Sequence, residues 1–217
     1  MPSPVGHGLA GLVLEGFSHL HPAGRRLAPG RRGARRWLAQ LGFACALAFA
    51  ANAPDLDFIP GILVGEADRF HHGPAHSLGA AVLFGAGATL ISWLCRARRP
   101  LHFGWWMALA FSSHLLLDMF SLDKRPPNGV PLLWPLTDRY FVVAYPLFMD
   151  IQRTAGESNF LRSLLREHNF HAMYWELVIM GFVLAVSRIG IYAWQGFGGR
   201  SRRRLAAQAP ELGGGEA

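Results

Sequence analysis

Charge is what this 217-residue sequence has least of: only 16% of its residues are Asp, Glu, Lys or Arg, where a soluble globular domain carries about 25%. That shortfall argues against an ordinary solvated surface and points to a membrane. Cysteine is nearly absent too. The two present, Cys45 and Cys95, lack the paired spacing of a metal site and imply no disulfide. Both lie in apolar runs and read as small buried hydrophobes. No Lys or Arg precedes Arg25, so the first apolar stretch lacks the basic leader of a signal peptide and is expected to stay in the mature chain.

What is present is apolar sequence, 51% of the chain, gathered into runs. A helix crossing a bilayer needs about 20 mostly apolar residues. Four runs approach this: Trp37 to Pro54, Leu78 to Cys95, Leu101 to Ser121 and Met173 to Trp194. A fifth, Pro4 to Leu20, is shorter and carries Glu15; it reads as a short span or as a helix buried against the others. Residues 129–149 are apolar but interrupted by prolines, and read as interfacial or re-entrant. The expected fold class is all-α, a polytopic membrane helical bundle with four to five transmembrane helices. Residues 1–195 form one membrane-embedded domain, and 196–217 a basic, disordered cytoplasmic tail.

The formal net charge is +7, and the basic residues are clustered. Three blocks, Arg25 to Arg36, Arg96 to Arg99 and Arg200 to Arg204, each abut an apolar run. Such blocks can bind nucleic acid, but here the positive-inside rule accounts for them better, and no nucleic-acid partner is expected. Threading the runs in order places all three blocks on the cytoplasmic side of an inner membrane. The same threading carries an unusual set of polar residues to the outer side. Asp55 and Asp57 end one run; His71, His72, His76 and Ser77 open the next; His114 and Asp118 lie near the end of the third; His7 begins the short N-terminal helix.

Ionisable groups in a membrane are costly, so they pair, line a wet cavity or bind something. Imidazole nitrogens and carboxylate oxygens are ligands of divalent metals. His114 and Asp118, four residues apart, share one helix face. His71 and His76 flank Gly73-Pro74, with the proline suited to a helix start. His7, Asp55, His71, His76, His114 and Asp118 are the candidate metal ligands. Simpler roles compete at each position: Asp118 could pair with Arg69 or Arg139, Asp55 or Ser77 could cap a helix, and the whole set could be a metal-free ion-pair network. His19, His21 and His102 read as interfacial residues.

In order along the chain, His7, Pro-Asp-Leu-Asp at 54–57, His-His-Gly-Pro-Ala-His-Ser at 71–77, His-Leu-Leu-Leu-Asp at 114–118 and Gly-Val-Pro-Leu-Leu-Trp-Pro at 129–135 resemble the YdjM-like family of bacterial inner-membrane proteins, regarded as metal-dependent hydrolases. The resemblance covers about Val5 to Pro135. His72 stands where that family has Arg, and Ala75 where it has Thr. The segment from Asp118 to Gly129 looks long. The order of ligand types is also similar to that of zinc-dependent phospholipases C and P1-type nucleases, which implies that Asp118 would bridge two ions. In those enzymes further His and Glu ligands follow; His168, His171 and Glu176 are available here, but their spacing suits interfacial residues better.

The resemblance implies a membrane-bound hydrolase with a divalent metal, zinc by preference, that cleaves a phosphoester or other ester of a lipid or lipid-linked substrate through a metal-activated water. In that reading Asp57 and His72 are the catalytic residues. Asp57 would act as base or orient a ligand histidine, and His72 would meet an anionic headgroup. The alternative is a non-catalytic membrane protein whose His/Asp cluster is a structural metal site or a polar contact between helices. A transporter is disfavoured, since no inverted repeat is visible and the polar residues gather at one end.

Overall fold

The computed structural model describes residues 1–18, 20, 33–124, 126–153 and 160–208, and of 35, 36, 161 and 197–208 it describes the backbone alone. His19, His21 and most of the first arginine block lie outside these residues. Among the described residues all regular structure is helical, with no strand and two isolated bridges, Ser121 with Phe148 and Val130 with Phe141. Its helices are α1 (Pro4–Ser18), α2 (Gly33–Asn52), α3 (Phe58–Leu63), α4 (Leu78–Leu94), α5 (Pro100–Met119), α6 (Phe160–Ser163) and α7 (Glu167–Gln208).

Local sequence chemistry sets the boundaries. Ser77 caps α4 by accepting a hydrogen bond from the Ala80 amide at 3.1 Å, which satisfies one of the four free N–H groups at a helix start. The helix stops at Arg96, whose positive φ of 55° turns the chain back, and α5 restarts with Pro100 in its first turn, where the missing N–H costs nothing. Pro54 does not end the first long run, as the sequence suggests. It sits in the first turn of a 3-10 segment, Ala53–Asp57, that leads directly into α3. Two consequences follow. The helical stretch from Trp37 to Leu63 kinks rather than terminates, and the kink turns Asp55 and Asp57 out of the regular helix. The proline-cut region 129–149 contains no helix.

The short helix α1 is the hub of the bundle, packing against α2, α5 and α7, while α5 also packs on α2 and α4. Close approach depends on glycine. A Cβ on Gly11 would lie 2.7 Å from the Leu47 carbonyl oxygen of α2, and at the α4–α5 crossing Gly85 and Gly104 face each other's backbone, with Thr89 against Gly104. Small residues at such contacts let membrane helices pack by van der Waals attraction. The direction of α7 follows from two polar contacts. The Ser3 amide donates to Glu176 at 2.9 Å, and Arg188 Nη2 donates to Glu15 Oε2 at 2.6 Å. Both pairs have the same sequence separation, 173 residues, so α1 and α7 run parallel and in register. The Arg188 pair is also what the unexpected Glu15 serves.

Two helices are long and apolar enough to cross a membrane, Trp37–Leu63 and Glu167–Gly196; Leu78–Leu94 is apolar but shorter. Large apolar side chains cover the outside. Leu83 is 73% exposed, Leu101 77%, Phe182 70% and Ile189 68%. Monomeric soluble proteins rarely expose such contiguous apolar surface. Cys45 and Cys95 belong to this outer surface; both are exposed, which corrects their reading as buried. Beyond residue 196 the backbone of α7 continues as helix through Gln208, consistent with the helix propensity of its Arg and Ala residues; the rest of the expected tail lies outside the described residues.

Candidate metal centre

All eight candidate residues meet at one end of the bundle. His7 comes from α1, Asp55 and Asp57 from the 3-10 kink after α2, His71 and His72 from the loop before α4, His76 from the short 3-10 turn Pro74–His76, and His114 and Asp118 from α5. The Arg96–Arg99 turn between α4 and α5 lies at the other end of that hairpin, since His76 at the start of α4 is 3.6 Å from Asp118 near the end of α5. His7, His76 and His114 are wholly buried, and Asp118 is 1% exposed.

At the centre are four atoms, His76 Nε2, His114 Nε2, Asp55 Oδ1 and Asp118 Oδ2. The two nitrogens are 3.3 Å apart. His114 Nε2 lies 3.1 Å from Asp118 Oδ2 and 3.5 Å from Asp55 Oδ1, and His76 Nε2 lies 3.6 Å and 3.7 Å from the same atoms. Zinc bonds of about 2.0–2.1 Å in a tetrahedron put ligand atoms about 3.3–3.4 Å apart. The five separations lie near that value, and the ligand atoms close enough to share an ion include two overlapping groups, Asp55 with His76 and His114, and His7 with His114 and Asp118.

The imidazoles are held for this purpose from behind. His114 Nδ1 meets the Ala51 carbonyl oxygen at 2.8 Å, which fixes the Nδ1–H tautomer and leaves the Nε2 lone pair facing inward. Asp57 sits behind the other side: Oδ1 is 3.0 Å from His71 Nδ1, and Oδ2 is 3.1 Å from His76 Nδ1 though off the line of an ideal hydrogen bond. A carboxylate or carbonyl behind a histidine is the usual support of a metal-binding imidazole.

A second group adjoins the first. His7, stacked on His114 at 3.7 Å, points Nε2 at Asp118 Oδ1, 3.6 Å away. Asp118 thus turns one oxygen to each group. Both ring nitrogens of His7, both Asp118 oxygens and Asp55 Oδ1 are buried without an aligned hydrogen-bond partner among the described residues. Orphaned buried polar atoms are rare in folded proteins and call for an unseen partner. Charge leads to the same place. No Lys or Arg among the described residues pairs with Asp55, Asp57 or Asp118, whose partners are all histidines. Burial pushes His71 down to about 4 despite the opposing pull of Asp57, so it is neutral at neutral pH. Burial also disfavours charge on His76, but Asp55 and Asp57 outweigh it and raise its pKa. Three buried carboxylates among imidazoles are compensated by a cation or by protons.

His71 and His72 stand at the edge of the set. His71 Nε2 faces Met1 Sδ at 2.8 Å, and its nearer nitrogen is 3.9 Å from Asp55. His72 has φ of 57°, an uncommon left-handed conformation for a residue with a side chain, and is 3.9 Å from Asp118 through Nε2. Its other nitrogen lies 3.4 Å from Asp123 Oδ2, which also accepts the Gly129 amide at 2.8 Å. Sequence reasoning missed Asp123, although the long segment after Asp118 that carries it was the available signal. The alternative partners fall elsewhere: Arg69 pairs with Glu66, His168 with Asp150, and Glu176 with Ser3. His102 accepts a hydrogen bond from Trp106.

The family model of the YdjM inner membrane protein matches residues 3–194, nearly the whole described chain. The chain belongs to the YdjM inner membrane protein family. The match runs well past Pro135, where the resemblance in the motifs ends, and takes in α7, the helix that binds α1 through Glu176 and Arg188. None of the curated proteins or solved structures compared matches the chain.

Proposed function

We propose that this YdjM-family chain is a multi-pass inner-membrane hydrolase with four to five spanning helices, a divalent metal at the outer end of the bundle, and a lipid or lipid-linked phosphoester or ester as substrate. The observation that carries the reading is the gathering of the His76, His114, Asp55 and Asp118 ligand atoms, supplied by three separate parts of the chain and backed by Ala51 and Asp57, in overlapping groups that could hold a metal ion. His76, His114, Asp55 and Asp118 would hold the ion, zinc by its N/O donor set; His7 with Asp118 Oδ1 would support a second. When bound, such an ion polarises an ester oxygen and makes water a nucleophile near neutral pH.

The remaining residues have roles of their own. Asp57 keeps the His76 ring in place and the His71 ring against it, so it serves as an orienting group rather than as a free base. His72, backed by Asp123, reaches the cluster from the loop side, where it can hold a proton at Nε2 or contact an anionic group. Exposed apolar side chains around the helices support a bundle set in lipid, and a site at one end of such a bundle favours a lipid ester over a water-soluble one.

A structural metal site is the second reading, and one feature favours it: the central side chains have almost no exposure, as in sites whose coordination is closed by protein. Asp55 and His72, with side chains 14% and 11% exposed, form the side from which a substrate would enter. Purified protein assayed on phospholipid and bis(p-nitrophenyl) phosphate separates the two. Hydrolysis abolished by chelation and by His114→Ala, and restored to the chelated wild type by zinc, supports the enzyme. A metal-loaded protein with no activity on either substrate leaves the structural role.

A further inference from the structure

A second feature adjoins the cluster. A cavity of about 240 Å³ opens beside Asp55 and is walled by Pro4, Phe58, Ile151, Phe160 and Leu164. Its surface is almost wholly apolar, and among the described lining residues Asp55 is the one acidic side chain and Arg153 the one basic side chain, with the N-terminal Met1 beside them. Arg153 also lines a smaller cavity of about 40 Å³ with His72 and Lys124, so it stands between the apolar space and the loop side of the cluster. Its placement is fixed from two directions: Nε donates to Asp68 Oδ1 at 2.6 Å, and the guanidinium lies over the Phe58 ring at 4.9 Å. Phe58 in turn stacks on His71 at 3.9 Å. The apolar cavity, the cation and the cluster are therefore joined through one aromatic ring.

We propose that this cavity is the substrate's chain-binding site, taking one hydrocarbon chain of a phosphate-bearing lipid with Arg153 at the phosphate. The assignment rests on the hydrolase reading above and narrows its substrate to a phosphoester on an apolar chain. A space whose accessible wall is mostly apolar favours hydrocarbon over a sugar or a peptide backbone, because most polar groups buried there would lose their water without replacement. A guanidinium at the neck suits the tetrahedral oxygens of phosphate. It also supplies a fixed positive charge beside His72, with which it lines the smaller cavity. The apolar helix surface outside puts the cavity within reach of membrane lipid.

Binding of octylphosphonate to the protein as purified in maltoside detergent tests this, because a phosphonate cannot be hydrolysed. Methylphosphonate reports the head alone and octyl glucoside the chain alone. Octylphosphonate should bind at least tenfold more tightly than either. Leu164→Trp, which fills the cavity, should weaken octylphosphonate at least tenfold and leave methylphosphonate unchanged. Arg153→Gln should weaken both phosphonates and spare octyl glucoside. If that variant fails to fold for want of its Asp68 partner, the Leu164→Trp comparison decides alone. Equal binding of octylphosphonate and octyl glucoside, or no effect of Leu164→Trp, overturns the proposal. Binding without any hydrolysis of esters would remove the hydrolase and keep the lipid site. Hydrolysis without octylphosphonate binding would remove this site and keep the hydrolase.

Discussion

Asp57→Asn isolates the support behind the metal centre without changing its shape. Asp57 offers one oxygen to His71 Nδ1 at 3.0 Å and the other to His76 Nδ1 at 3.1 Å. One oxygen is hydrogen-bonded to His71, and the other lies against His76 Nδ1 off the line of an ideal bond, so both carboxylate oxygens favour a proton on Nδ1 and leave Nε2 to carry the lone pair. An asparagine has one acceptor oxygen and one NH₂. Whichever way it turns, one of the two Nδ1 atoms faces a donor. If that is His76, its ring must flip or change tautomer, and a proton then sits on Nε2, 3.3 Å from His114 Nε2, where the lone pair is needed. If it is His71, the stack of His71 on Phe58 loses its anchor and His76 keeps a weaker, neutral acceptor. Loss of such a supporting carboxylate typically costs about 10–100-fold in metal affinity, or about 1.4–2.8 kcal/mol at 1.4 kcal/mol per decade. The assay is competition for zinc against a chromogenic chelator, with far-UV circular dichroism and thermal unfolding as folding controls. A well-folded Asp57→Asn protein that holds zinc within threefold of wild type would refute the reasoning.

Other outcomes follow from the same geometry. Metal affinity should rise from pH 6 to pH 8: His76 must be neutral to donate Nε2, and its raised pKa means that protons compete more strongly as pH falls; a flat profile by the same competition assay contradicts this. Glu15→Gln should destabilise the bundle by about 1.5 kcal/mol, near the upper end for polar contacts between membrane helices, by leaving Arg188 without its carboxylate. The double variant Glu15→Gln/Arg188→Leu should regain part of that loss, as read by reversible unfolding in mixed micelles. Gly104→Leu should separate α4 from α5, because even a Cβ there meets Gly85 and Thr89; overpacking costs about 1–3 kcal/mol, visible as a lower unfolding temperature and weaker zinc binding together.

Much of this was legible in the sequence because its signals are local. Each apolar run has a matching helix: Leu78 to Cys95 became α4, and Leu101 to Ser121 became α5, with Pro100 and Ser77 marking the starts. The convergence of His7, Asp55, His76, His114 and Asp118 was legible for a different reason. Packing apolar runs side by side as helices brings segments far apart in sequence to the same end of a bundle, so ionisable residues at run ends point to a shared site. Partners that meet through tertiary packing alone left no such mark. Glu15 looked like a flaw in a short helix until Arg188 of α7 was seen against it. Glu176 read as an interfacial residue, yet it holds Ser3 inside the bundle. The position of Asp57 behind His76 depends on how sharply the chain turns after Pro54, and sequence alone suggested that the helix stops there. Cys45 and Cys95 were misread because in a membrane protein an apolar residue is as much at home facing lipid as facing the core.

The most direct test of the central claim is the metal content of the detergent-purified chain by elemental analysis, beside that of the His76→Ala/His114→Ala variant. The account predicts at least one equivalent of zinc or a similar divalent ion per wild-type chain, and loss of nearly all of it in the folded variant. A wild-type chain free of divalent metal after purification with zinc supplied, or a variant that keeps the full amount, would contradict it.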